Sequence, residues 1–134
     1  MRIFADTGFY NALLSTRDQH RTAAMAAADA TIRDIIVTSE PVLVEVLAFM
    51  SASGEQGRNR AVQFVDGLMT DDRTIIVPQT PELFRAGLDL YRRRLDKSYS
   101  ATDCMSMAIC DEHGITQILT HDRHFSQEGY EILM

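Results

Sequence analysis

Four carboxylates stand at separated points of this chain in places where a charge is awkward: Asp6, Glu45, Asp103 and Asp122. Asp6 closes the apolar run that starts at Arg2. Glu45 is the only charge between Pro41 and Met50. Asp103 opens a helix in the stretch from Tyr99 to Ala108, and Asp122 follows the apolar pair Ile118 and Leu119. A carboxylate is costly to bury alone, so a buried one implies a partner or a cation. Four that converge would repel one another unless a divalent ion lay among them. That arrangement carries out metal-dependent phosphodiester cleavage.

Each acid also has a plainer role open to it. Asp6 and Asp122 fall at the carboxyl ends of strands, where α/β sheets bind ligands. An aspartate there can equally cap the next helix. Ser100 and Asp103 resemble a capping box, although Glu or Gln is the usual second member. Ser106, Met107 and Cys110 continue the face of Asp103 at helical spacing, which puts the acid at the edge of a buried stripe. Around Glu45, Val42, Val46 and Phe49 sit close by, and Leu43, Val44 and Leu47 cover the rest of the helix. A helix apolar nearly all round is expected to be buried. A buried salt bridge to an arginine is the alternative for Glu45. His20, His121 and His124 can act as ligands or as a base, but a lone histidine is more often a surface or capping residue. Zinc prefers His and Cys ligands, whereas an all-carboxylate set suits Mg²⁺ or Mn²⁺.

The elements that must position these acids alternate, which predicts an α/β fold with a central parallel sheet of four to five strands flanked by helices. Strands are expected at 2–5, 35–38, 74–77, 117–119 and 130–133. Helices are expected at 7–15, 18–32, 40–52, 59–69, 80–95 and 100–113. Ser39 and Thr80 read as N-caps, each followed by a proline in the first turn, and Gly114 as a C-terminal stop. The stretch Ser51 to Asn59, with two glycines, reads as a mobile loop.

A chain of 134 residues, 46% apolar, suits one domain spanning 1–134. No stretch approaches the ~20 apolar residues of a membrane span, and no basic segment leads into an apolar run at the N-terminus. A soluble, cytoplasmic protein is expected. Cys104 and Cys110 lie on different faces of one predicted helix, so neither a bridge nor a zinc spacing is indicated. The net charge of −6 weighs against nucleic acid as a partner. The four acids contribute to that excess, however, and Arg92, Arg93, Arg94 and Lys97 cluster just before Asp103, with Arg58 and Arg60 in the predicted loop region. The cluster reads either as a phosphate-binding rim or as a solvated helix end whose cations suit the macrodipole.

Four pieces of the chain together resemble the PIN-domain ribonucleases, and within them the VapC-type toxins of toxin–antitoxin modules. They are Phe4 to Thr7, Thr38 through Glu45 to Phe49, Tyr99 to Ser106, and Leu119 to Phe125. The resemblance implies an endoribonuclease in which Asp6, Glu45, Asp103 and Asp122 hold Mg²⁺ or Mn²⁺. It implies that Thr120 holds a water or phosphate oxygen beside them, that Ser106 supports Asp103, and that Thr7 is an outer hydroxyl. It further implies single-stranded or looped RNA as substrate, products ending in 5′-phosphate and 3′-hydroxyl, a cognate antitoxin and a homodimer. Nothing resembles a DNA-binding motif, so operator binding would belong to the antitoxin. A catalytically silent PIN fold that only binds RNA or protein is the alternative. A receiver-type phosphoacceptor domain fits less well: it needs paired acids after the first strand and an Asp after the third, but Asp6 stands alone and Pro78 and Gln79 follow Val77.

Overall fold

A computed structural model of the chain describes residues 1–134. Five parallel strands form one sheet in the order β3-β2-β1-β4-β5. They are β1 (Arg2–Ala5), β2 (Ile35–Ser39), β3 (Thr74–Val77), β4 (Gln117–Leu119) and β5 (Glu131–Ile132). Seven helices connect and cover them: α1 (Thr7–Leu14), α2 (Arg21–Ala30), α3 (Glu40–Met50), α4 (Gly54–Thr70), α5 (Pro81–Arg93), α6 (Ala101–His113) and α7 (Arg123–Gln127). The inner strands are apolar on both faces, as a doubly covered parallel sheet requires. Phe4, Val37, Ile118 and Leu119 are fully buried. From β1 the chain first builds outward through β2 and β3, then crosses to β4 on the other side. The carboxyl ends of β1 and β4 therefore flank the point where the strand order reverses, the ligand crevice of such sheets.

The helix boundaries follow local chemistry. Ser39 Oγ accepts the N–H of Val42 at 3.2 Å, and Thr80 Oγ1 accepts that of Leu83 at 3.1 Å. Each cap satisfies a backbone donor that the helix itself leaves free. Gly114 ends α6 in the left-handed region, φ 66°, a conformation glycine adopts without steric cost.

Three expectations are corrected. The predicted loop at 51–59 is a short turn, because α4 already begins at Gly54. Gly57 serves close packing there: a Cβ at this position would stand 2.3 Å from Ser53 Cβ. Arg58 and Arg60 consequently lie on a helix, where they donate to the carbonyls of Ser51 and Leu14. The short helix α7 had no sequence expectation. Finally, α3 is buried on one side only. Val42, Val46 and Met50 face the core, while Val44 is 63% exposed and Phe49 48%. Apolar residues all round a helix do not determine how many sides the fold covers, and here α1, α4, α6 and β2 leave one side open.

The α5–α6 contact carries Asp103 into the site, and it depends on Gly87. A Cβ there would meet Met105 Cγ at 2.5 Å and Met105 N at 3.2 Å. Gly87→Ala is expected to destabilise the chain by about 1–3 kcal/mol through overpacking, measurable as a lower urea midpoint.

Candidate active site

The switch point gathers three of the four acids. Asp6 follows β1, and its N–H donates to Leu119 O at 3.1 Å, extending the β1–β4 pairing by one residue. Its side chain is buried, and Oδ2 accepts the hydroxyl of Thr120 at 3.0 Å. Thr120, fully buried, also accepts the N–H of Asp122 at 3.0 Å. One hydroxyl thus fixes Asp6 and the backbone that carries Asp122. The buried Thr120 orients the acids.

Asp103 and Asp122 both act as helix caps, and both also join the cluster. Ser100 and Asp103 form a reciprocal capping box at 2.9 and 3.0 Å. Asp122 Oδ1 accepts the N–H of His124 at 2.9 Å and caps α7. The capping bonds hold each carboxylate in one orientation. His124 then bridges them, with Nδ1 at 3.3 Å from Asp103 Oδ2 and 3.3 Å from Asp122 Oδ1. The sequence leaves this histidine between a ligand or base and a surface or capping residue; the structure sets it against two of the acids. The signal was present in the spacing Asp122-x-His124 at a helix start, where an aspartate cap already holds the histidine backbone.

Glu45 joins through Thr7, the residue after Asp6, whose hydroxyl donates to Glu45 Oε1 at 2.6 Å. The glutamate is half-buried and pairs with no arginine, so the salt-bridge alternative falls. Ser106 lies one turn beyond Asp103, fully buried, and its hydroxyl has no hydrogen-bond partner. The basic cluster is partly neutralised. Arg92 pairs with Asp89 at 2.8 Å, Arg94 with Glu128 at 2.5 Å, and Lys97 lies 4.0 Å from Asp96. His20 and His121 stack on each other, ring centres 3.8 Å apart, over Gly8.

The electrostatics follow from the burial. Asp6 has its pKa pushed up from 3.8 to about 7, first by desolvation and then by the Asp103 carboxylate, while the bonds from Thr7 and Thr120 partly oppose the rise. Asp103 is raised as well, chiefly by burial; the N–H of Ser100 opposes this and the Asp122 charge adds to it. No arginine or lysine pairs with any of the four acids. Thr120→Val keeps the shape but strands the Asp122 N–H and removes a donor from Asp6. A loss of about 1–3 kcal/mol is expected, read from chemical denaturation.

A five-stranded parallel sheet with buried acids at its switch point defines a class of acid-site α/β domain. The model of the PIN domain matches residues 3–128, and the chain belongs to that family. Among solved structures it is similar to Mycobacterium tuberculosis VapC20, described as a sarcin-ricin loop cleaving toxin. The TM-score is 0.84 at 24% identity, over 96% of this chain and 95% of that one. It is also similar to FitAcB from Neisseria gonorrhoeae, with a TM-score of 0.66 at 16% identity over 100% and 97% of the two chains. A third likeness is to FitAB bound to an IR36 DNA fragment, at 0.71 and 19% over 98% and 93%. These likenesses speak for the fold. No match is found among curated protein sequences. No helix is long and apolar enough to cross a membrane.

Proposed function

We propose that the chain is a divalent-metal-dependent endoribonuclease, acting as the toxin of a toxin–antitoxin pair of VapC type. The observation that carries this reading is the approach of Asp6, Asp103 and Asp122 to one another with no arginine or lysine paired to any of them. A divalent cation suits such a donor set. The orphaned Ser106 hydroxyl on the Asp103 face fits the same account.

Asp6, Asp103, Asp122 and Glu45 would hold Mg²⁺ or Mn²⁺. The ion, when bound, makes a water nucleophilic near neutral pH and stabilises charge on the leaving oxygen. The chain's own contribution is orientation. Thr120 fixes Asp6 against Asp122, Thr7 aims Glu45, and the capping box holds Asp103. Products ending in 5′-phosphate and 3′-hydroxyl are expected from single-stranded or looped RNA, whose bases a protein can reach. Arg93, the one residue of its basic cluster outside any ion pair, is the best placed there to meet a phosphate.

The partner reading is a homodimer and an antitoxin. Phe84, Leu88, Tyr91 and Leu95 form an exposed apolar stripe at 4-3-4 spacing along α5 and just beyond it, the pattern of a helix seam. The open side of α3 and the groove it forms with α4, lined by Leu43, Leu47, Val65 and Leu68, suit a second apolar segment. The test is incubation of purified protein with structured RNA in Mg²⁺ or Mn²⁺ and in chelator, with analysis of the product ends. Cleavage only with metal, leaving 5′-phosphates, is expected. Intact RNA in every condition despite measured metal binding would favour a silent binding module.

A further inference from the structure

We infer that His124 supplies a nitrogen ligand to the cation of the acidic site, which biases that site toward transition-metal ions over Mg²⁺. The inference rests on the metal reading above and adds a ligand of a different chemical kind. Asp103, Asp122 and His124 each offer one atom, and the three atoms lie within 4.8 Å of one another. That is the spread of donors around a single ion.

The ring is held as a ligand ring is held. Metal-bound histidines usually give their other N–H to a fixed partner, which sets the tautomer. Here Nε2 lies 3.3 Å from Ser98 Oγ. The ring packs against Tyr99 at 5.4 Å and 59°, and its backbone is pinned by Asp122. With the hydrogen on Nε2, donated to Ser98, the Nδ1 lone pair points at Asp103 Oδ2, 3.3 Å away, and Asp122 Oδ1 lies at the same distance from the nitrogen. Three sets of lone pairs facing one another are repulsive unless a cation lies between them. The competing tautomer, with the hydrogen on Nδ1, makes the contact a plain hydrogen bond to Asp103.

Imidazole nitrogen binds first-row transition metals better than it binds Mg²⁺, which prefers oxygen. His124→Gln is therefore expected to lower Co²⁺ affinity about tenfold, with a much smaller loss for Mg²⁺. Ser98→Ala should shift the ratio in the same direction by less.

The test is pulsed EPR on the Mn²⁺-loaded protein, which reads coupling between the ion and a coordinated nitrogen without any turnover. Wild type is expected to show ¹⁴N modulation that changes when the histidines carry ¹⁵N and that is lost in His124→Gln. Bound Mn²⁺ with no nitrogen coupling in wild type would overturn the inference and leave the carboxylate site standing. Failure of Mn²⁺ to bind at all would overturn both. Because the deciding spectrum is that of wild type, a poorly folded variant does not blunt the result.

Discussion

Asp103→Asn is expected to remain folded and to lose metal-dependent RNA cleavage by at least about a hundredfold, the loss that removing the outer partners of metal ligands already produces. The amide oxygen can still accept the Ser100 N–H, and the backbone N–H at this position can still donate to Ser100 Oγ, so α6 keeps its cap. What disappears is the charge. That removes the carboxylate facing His124 and one source of the repulsion on Asp6. The melting temperature in chelator should stay the same or rise while activity collapses. Near-normal cleavage by this variant, or by Glu45→Gln, would sink the four-carboxylate account.

The second large effect is on stability. Asp6 ionises at 3.8 when exposed and at about 7 when folded. The folded chain therefore binds a proton that the unfolded chain has released between those values. The stability from this group is fully present below about pH 4 and is lost as pH rises through about 7. At ~1.4 kcal/mol per unit, the gap corresponds to a loss on the order of 4 kcal/mol. In chelator, Asp6→Asn should be the more stable protein at pH 8, and the difference should close toward pH 4. Adding Mg²⁺ or Mn²⁺ at pH 8 should restore the parent by mass action and do little for the variant. Urea midpoints for both chains at pH 5 and pH 8, with and without metal, measure this. Parallel behaviour of the two would contradict it.

What could be read from the sequence was local. Alternating strands and helices, the caps at Ser39, Thr80 and Ser100, and the stop at Gly114 depend on residues within one turn of each other, and all are found. The resemblance to PIN domains came from four short pieces in order, and the family match covers them. What could not be read depended on distant partners. Which sides of α3 are covered is decided by α1, α4 and α6. The helical start at Gly54 depends on how closely Gly57 approaches Ser53, which glycine content alone does not reveal. For Asp103 and Asp122, capping and clustering looked like alternatives. Both occur: in each acid the oxygen that takes the capping bond, Oδ2 of Asp103 and Oδ1 of Asp122, also faces His124 Nδ1. His124 could not be told from His20 and His121 by sequence, because its meaning lies in Asp103, 21 residues earlier in the chain.

The central claim is that these acids hold a divalent ion, and the most direct measurement is anomalous diffraction from crystals soaked in Mn²⁺. The account predicts a single strong cluster of density contacted by the carboxylates of Asp6, Asp103 and Asp122, absent in Asp103→Asn. Manganese found only elsewhere on the surface, with these carboxylates keeping only their bonds to Thr120, Ser100 and His124, would contradict it.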